Sequence, residues 1–272
     1  MFIHPCGISL TIAVAVAIPE GIVLSAESRQ TYSRKVGDVI NPRIGTDFGK
    51  KVFQLGPKVG AVTWGWAFLL GRNINSYVEE FKSTISQKGI SEVEQISHEL
   101  AKFLTDKYME HIAKKLDNPV PRAIGFYIGG YDSKGGNIYA TYIPEKDVSL
   151  VSNTIAKSGM NWGGQIDVIT RLLKGYDHRI VTLPGFPKDL TAELNKLEYV
   201  TNFNNMTLQD AVDYAVFLVK TTIDMQRFSD GIVMQPGDIP GCGGSIDVAV
   251  VQPDSSFCWI QRKELRGERT TE

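Results

Sequence analysis

The sequence predicts an α+β protein whose β-sheets are stacked between helical layers. Three observations predict it: a β-branched, apolar opening that reads as paired strands, two long regions of helical periodicity, and a return to strand patterning after each. No repeat, linker or low-complexity segment divides the 272 residues, so one domain is expected over residues 11–265, with residues 266–272 as a frayed tail.

Residues 11–18 and 21–26 are β-branched and apolar, and Pro19-Glu20-Gly21 between them has turn chemistry, which predicts a strand, a tight turn and a returning strand. The polar stretch 30–49, which carries Gly and Pro, reads as a loop, and residues 51–55 and 59–63 read as two short strands. Residues 68–87 and 91–115 have helical periodicity. The second opens with Ser91-x-x-Glu94, a capping box, and puts Val93, Ile96, Leu100, Phe103 and Leu104 on one face. Asn118-Pro-Val-Pro121 ends that pair. Residues 122–131 and 137–143 form a predicted hairpin across Asp132-Ser-Lys-Gly-Gly136. Residues 166–174 and 190–197 are short helical candidates. Residues 207–227 are a strong one, opened by Thr207-x-x-Asp210, and 245–251 and 257–261 are the last strands. The charged end from Arg262 onward is expected to fray.

Composition narrows the function. With 43% hydrophobic and 22% charged residues the chain can bury a core of ordinary size. A formal net charge of -1, without a run of Lys or Arg, supplies no field for nucleic-acid phosphates or an anionic membrane surface, so neither is an expected partner. Cys6, Cys242 and Cys258 are too few and too far apart for a disulfide scaffold, which points to a reducing, cytoplasmic setting. No cysteine pair has zinc-ligand spacing, and His4, His98, His111 and His178 form no ligand pattern. The glycine pairs at Gly129, Gly163 and Gly243 lack the context of a phosphate loop, so no metal and no cofactor are expected. Residues 8–18 have the length of a signal-peptide core, and Ala15-Val16-Ala17 has the character of a cleavage site. Residues 1–5 contain no Lys or Arg, however, and the apolar run continues past Gly21, so a core strand is the preferred reading and export the alternative.

The string Thr11-Ile-Ala-Val-Ala-Val-Ala-Ile-Pro-Glu-Gly-Ile-Val-Leu-Ser-Ala-Glu-Ser-Arg29 resembles the opening of proteasome β-type subunits: a Thr, a strand, an acidic-Gly turn, an apolar strand, then Ser-Arg. Lys51-Val-Phe-Gln-Leu55 and Val59-Gly-Ala-Val-Thr-Trp-Gly65 resemble the family's lysine element and the strand leading to its oxyanion-hole glycine, and Lys51 and Gly65 stand fourteen apart as the family's pair does. Ile128-Gly-Gly-Tyr-Asp132, the helix from Thr207 and Gly243-Gly-Ser-Ile-Asp-Val-Ala-Val250 extend the likeness over most of the chain. The resemblance implies the four-layer αββα sandwich of N-terminal-nucleophile (Ntn) hydrolases and a threonine protease that cuts peptides or unfolded proteins inside a homo-oligomeric ring. The long stretch 30–50, the extra segment 176–205, and Glu27 in place of the usual Asp point to a divergent bacterial or archaeal-type relative.

A threonine hydroxyl is a weak nucleophile, and a free α-amine on the same residue, with an ordinary pKa of about 7.7–8, can take its proton. The resemblance gives this part to Thr11, once residues 1–10, a propeptide or a misassigned start, are gone. Lys51 would put positive charge beside Thr11, Glu27 would hold Lys51 as its ion-pair partner, and Gly65 would offer its N–H to the oxyanion. Ser158, before Gly159, matches the family's Ser-Gly near the nucleophile. The supporting Asp is Asp224 or Asp238, Cys242 falls where the family has Ser, and Thr63 and Ala67 flank the glycine where the side-chain pocket is lined. Leu10 stands before Thr11 where the family usually has Gly, so two routes to a free Thr11 remain: self-cleavage, or initiation at Leu10 followed by methionine removal. Two other readings stay open. Cys6-Gly-Ile resembles the start of Ntn glutamine amidotransferases, with Cys6 as the nucleophile of an amidohydrolase, and the chain could serve as a non-catalytic subunit of a proteasome-like ring.

Overall fold

The structure is a computed structural model that describes residues 11–36, 39–114, 123–187, 189–232, 235–236 and 240–265. Residues 1–10 with Cys6 and Leu10, Asn118-Pro-Val-Pro121, Asp238 and the tail from 266 lie outside the described residues.

The chain is α+β. It opens with the expected hairpin, β1 (Ile12–Ile18) and β2 (Gly21–Ala26), followed by β3 (Gln30–Val36), β4 (Val39–Thr46), β5 (Val52–Gly56), β6 (Val59–Gly65), β7 (Phe68–Leu69) and β8 (Arg72–Asn73). Helices α1 (Ile74–Lys88) and α2 (Val93–Ala113) come next, then β9 (Ile124–Asp132), β10 (Gly135–Ile143), β11 (Val148–Asn153) and β12 (Gly159–Gly164). Helices α3 (Asp167–Lys174), α4 (Leu190–Leu194) and α5 (Leu208–Phe228) precede β13 (Gly231–Ile232), β14 (Gln235–Pro236), β15 (Asp247–Val251) and β16 (Cys258–Gln261). Two antiparallel five-stranded sheets result, ordered β12-β1-β2-β15-β16 and β11-β10-β9-β6-β5.

The composition of β1 explains its place. Its seven residues alternate Ile or Val with Ala and are wholly buried, so both of its faces are covered. Ala13, Ala15 and Ala17 join Leu24, Val62, Trp64, Tyr127 and Ile138 in one cluster, while Ile12, Val14, Val16 and Ile18 meet Ala211, Ala215, Leu218 and Val219 of α5 in another. Small side chains on one face let the second sheet come close, and branched ones fill the helix-facing side. A third cluster packs Val78, Phe81, Leu100 and Leu104 of α1 and α2 against Phe53, Ala61, Phe126 and Ile128.

Several expectations are corrected. The stretch 30–49 is not a loop throughout: β3 and β4 pair with each other as a separate ribbon, in which the exposed Tyr32 and Ile44 need no buried face. The first helix begins at Ile74 and not at residue 68, because Leu70-Gly71 turns β7 into β8 with both residues at positive φ, and Asn73 caps the helix by accepting from Asn75 N at 3.0 Å. The Ser91-x-x-Glu94 box does not form. Glu92 is the cap residue, Val93 N donates to Asp132 Oδ2 at 2.8 Å, and Glu94 pairs with Lys134. By contrast, the Thr207–Asp210 box forms in both directions. Strands β11 and β12 had no counterpart in the expected order.

Candidate active site

Thr11 sits at the mouth of β1, buried, with its carbonyl accepting from Gln165 N at 2.6 Å just past the end of β12. Three backbone segments converge on it. The bend 27–29 leaves β2, which pairs with β1. Lys51 leads into β5, where Thr63 N donates to Lys51 O at 2.9 Å, and loop 240–244 leads into β15, which pairs with β2. Antiparallel pairing fixes the register of these segments, so residues far apart in sequence arrive at one end of the two sheets.

The side chains meet closely. Lys51 Nζ donates to Thr11 Oγ1 at 2.9 Å and to Arg29 O at 2.5 Å, and it forms an ion pair with Glu27 Oε1. Its three N–H directions are therefore used. Glu27 is wholly buried, and its longer reach, relative to an Asp, frees Oε2 to accept from Arg29 N at 2.6 Å and Gly243 N at 3.1 Å. Burial pushes the Glu27 carboxyl above its ordinary value, and the Lys51 ammonium and the two backbone donors oppose that push. Arg29 holds the bend from outside: Nε and Nη2 reach the Asp47 carboxylate at 2.7 and 3.0 Å, and Nη1 reaches Pro240 O at 2.9 Å.

Gly65 ends β6, two residues beyond Thr63. Its φ of 97° and a Cβ position only 2.3 Å from Ala123 O exclude any other residue without movement of the backbone. Thr63 turns its hydroxyl away to Gly125 O at 2.9 Å, and Ala67 is half-buried, its carbonyl accepting from Ile74 N.

Two expected residues are not brought here. Ser158 lies at the other end of β1: Gly159 pairs with Ala17 while Gly164 pairs with Ile12, which puts Ser158 about 20 Å of strand away from Thr11. Its hydroxyl serves the turn by donating to Thr154 O at 3.1 Å. Asp224 lies on the solvent side of α5 in an ion pair with Lys220, one turn away. A cleft of about 430 Å³ beside Pro19, Lys58 and Tyr131 also belongs to the far end and holds none of the site residues.

Cys242, expected where the family has Ser, does arrive, and with it come Asp167, Asp247 and Lys263, which the sequence reading left out. Cys242 is buried; its N–H donates to Gln226 Oε1 at 2.7 Å, and burial, reinforced by the Glu27 carboxylate, raises its thiol well above the ordinary value. Asp167, at the start of α3, acts electrostatically on the same thiol, and its Oδ1 is buried without a hydrogen-bond partner among the described residues. Asp247 and Lys263 pair beside Ser28. One of these had a sequence signal: Asp247 is a lone carboxylate inside the apolar run Ile246 to Val251. Among the described residues, no group of three or more His, Cys, Asp or Glu side chains is placed to share a metal ion.

No protein-family model matches the chain, and no curated protein matches it.

Proposed function

We propose that this protein is a threonine-type Ntn hydrolase, a proteasome-like peptidase whose nucleophile is Thr11. The single observation that carries the reading is the buried contact of Lys51 Nζ with Thr11 Oγ1 at 2.9 Å, backed by Glu27. A buried ion pair is an inefficient way to gain stability, whereas an ammonium against a hydroxyl oxygen stabilises the charge that forms when that oxygen attacks. The three buried clusters then read as the interlayer cores of a four-layer αββα sandwich, α1 and α2 on one outside and α3 and α5 on the other.

The reaction requires a free α-amine on Thr11 first, by self-cleavage before it or by initiation at position 10 followed by methionine removal. Thr11 Oγ1 attacks the scissile carbonyl carbon as its proton passes to that amine. The tetrahedral oxyanion takes the Gly65 N–H, a donor of a kind worth roughly 10²–10³ in rate. Collapse breaks the C–N bond, the leaving amine carries off the proton, and an ester remains on Thr11. Water then attacks the ester with the α-amine again as base, releasing the carboxylic acid and restoring the hydroxyl. Lys51, held by Glu27, lies against the Thr11 hydroxyl oxygen, where an ammonium favours the alkoxide form. Asp167, with Oδ2 4.0 Å from Arg179 and Oδ1 buried without a hydrogen-bond partner among the described residues, is a further candidate beside Asp238 for the supporting part.

The substrates are peptides or unfolded chains, the setting is cytoplasmic, and the assembly is a homo-oligomeric ring. No helix among the described residues is long and apolar enough to cross a membrane. Light scattering gives the assembly mass, and a monomeric profile at micromolar concentration would overturn the ring. The function itself is tested with fluorogenic peptide amides. Thr11→Ala should lower turnover by roughly 10⁴-fold or more while the fold is kept. Undiminished turnover in that variant would remove Thr11 from the chemistry.

A further inference from the structure

A second buried ion pair flanks the first and takes no part in the steps above. Lys263, just past β16, has a side chain only 8% exposed, and its partner Asp247 on β15 is at 5%. Lys263 Nζ contacts Asp247 Oδ2 and donates to Ser28 Oγ at 2.9 Å, while Lys263 N donates to Asp247 Oδ1 at 2.9 Å. The end expected to fray at Arg262 is therefore anchored through Lys263.

Ser28 is the residue between Glu27 and Arg29, which supply two of the three acceptors on Lys51. Every polar group of Ser28 is tied. Its N–H donates to Gly243 O at 3.0 Å, its carbonyl accepts from Gly49 N at 2.8 Å, and its hydroxyl donates to Ser245 O at 2.6 Å and accepts from Lys263. A bend fixed at its centre cannot swing Glu27 away from Lys51. Removing two charges from water is costly, so stability alone is a poor reason for the pair.

We propose that Asp247–Lys263 is a positioning pair for Lys51: it clamps Ser28, so that Glu27 and Arg29 hold Lys51 against Thr11, and its ammonium adds positive charge beside that of Lys51. The inference rests on the reading of Thr11 as nucleophile. The groups around Lys51 are Thr11 from β1, Glu27 and Arg29 from the bend after β2, Cys242 from the loop before β15 and Lys263 after β16. Asp47 acts through Arg29, and Asp167, from the start of α3, acts on Cys242. Lys263 and Lys51 repel, and burial with that repulsion lowers the proton affinity of Lys263.

The test uses the full protein and follows kcat and KM for a fluorogenic peptide amide across pH. Lys263→Met should move the acid limb of kcat, set by the Thr11 α-amine, upward by roughly one pH unit, because a positive charge near it has gone, and lower kcat about tenfold or more with little change in KM. Lys263→Arg should restore both. If Lys263→Met folds poorly, the double variant Asp247→Asn/Lys263→Met removes both charges. It should fold, keep kcat about tenfold down because the Ser28 clamp is lost, and shift the acid limb less. An unmoved acid limb of kcat in Lys263→Met, or wild-type kcat in the double variant, overturns the inference. Kinetics of Thr11→Ala decide separately the reading on which it rests.

Discussion

Two kinds of lysine–carboxylate pair occur in this molecule, and they sit in different places. At the Thr11 end of the sheets, Lys51–Glu27 and Lys263–Asp247 are buried, with side-chain exposures of 8% or less, and each lysine makes further hydrogen bonds to hydroxyl or carbonyl oxygens. On the outer side of α5, Lys220–Asp224 has the same chemistry at 63% and 37% exposure and makes no further ion pair among the described residues. Water screens the outer pair, so it can neither hold a charge in place nor alter a neighbour's reactivity. The inner pairs can do both. The difference teaches that a carboxylate at a suggestive place in the sequence acquires a role only through the dielectric around it and the donors it meets.

The largest expected effect comes from breaking an inner pair. Glu27→Gln leaves Lys51 buried without a counter-charge, which should cost about 3–5 kcal/mol in urea unfolding and lower peptide turnover by about 100-fold or more. A loss below about 1 kcal/mol would mean that the site is far wetter than its burial implies.

A smaller effect tests the burial of the same end by pH. The Cys242 thiol is raised in the folded protein, chiefly by burial, so above the ordinary thiol range the unfolded chain loses a proton that the native chain keeps. The native state then binds more protons, and stability must fall as pH rises. The slope from this group reaches about 1.4 kcal/mol per pH unit between about pH 9 and the raised value. Unfolding curves from about pH 8 to 10 should show that slope, and Cys242→Ala should remove it. Equal slopes in both proteins would contradict the burial of this thiol.

The smallest effect is expected from the outer pair. Asp224→Ala should change stability by less than about 0.5 kcal/mol and leave turnover as it was. A loss of activity in this variant would erase the contrast between the two regions and return Asp224 to the site.

Much of this arrangement was legible because neighbouring strands carry it. Thr11, Glu27, Lys51 and Gly65 lie at the ends of β1, β2, β5 and β6, which form two sequence-local hairpins, so short-range spacing sufficed to bring each pair together. The α5 helix was legible from its capping box and its buried face. The misses have physical causes. Strand β12 reads Gly-Met-Asn-Trp-Gly-Gly, without strand-forming residues at its end, because Trp64 lies against Gly163, where a Cβ would stand 2.3 Å from the indole. Strand β11 is an edge strand with Ser149 and Leu150 both exposed, so no alternation marks it. Ser158 was misplaced because β12 went unseen, and with it the register that carries Ser158 to the far end of β1. Asp224 stands four residues from Lys220, a spacing that by itself reads as a solvent pair on a helix. Lys263 had no signal at all, since nothing in a charged end tells which lysine folds inward.

The most direct test of the central claim is the N-terminal residue of the active protein, read by intact mass and N-terminal sequencing on the same sample that hydrolyses peptide amides. A chain beginning at Thr11 is the predicted result, with activity rising in step with its fraction. Full activity in a chain that keeps residues 1–10 would contradict it, because the amine that must take the hydroxyl proton would still be an amide.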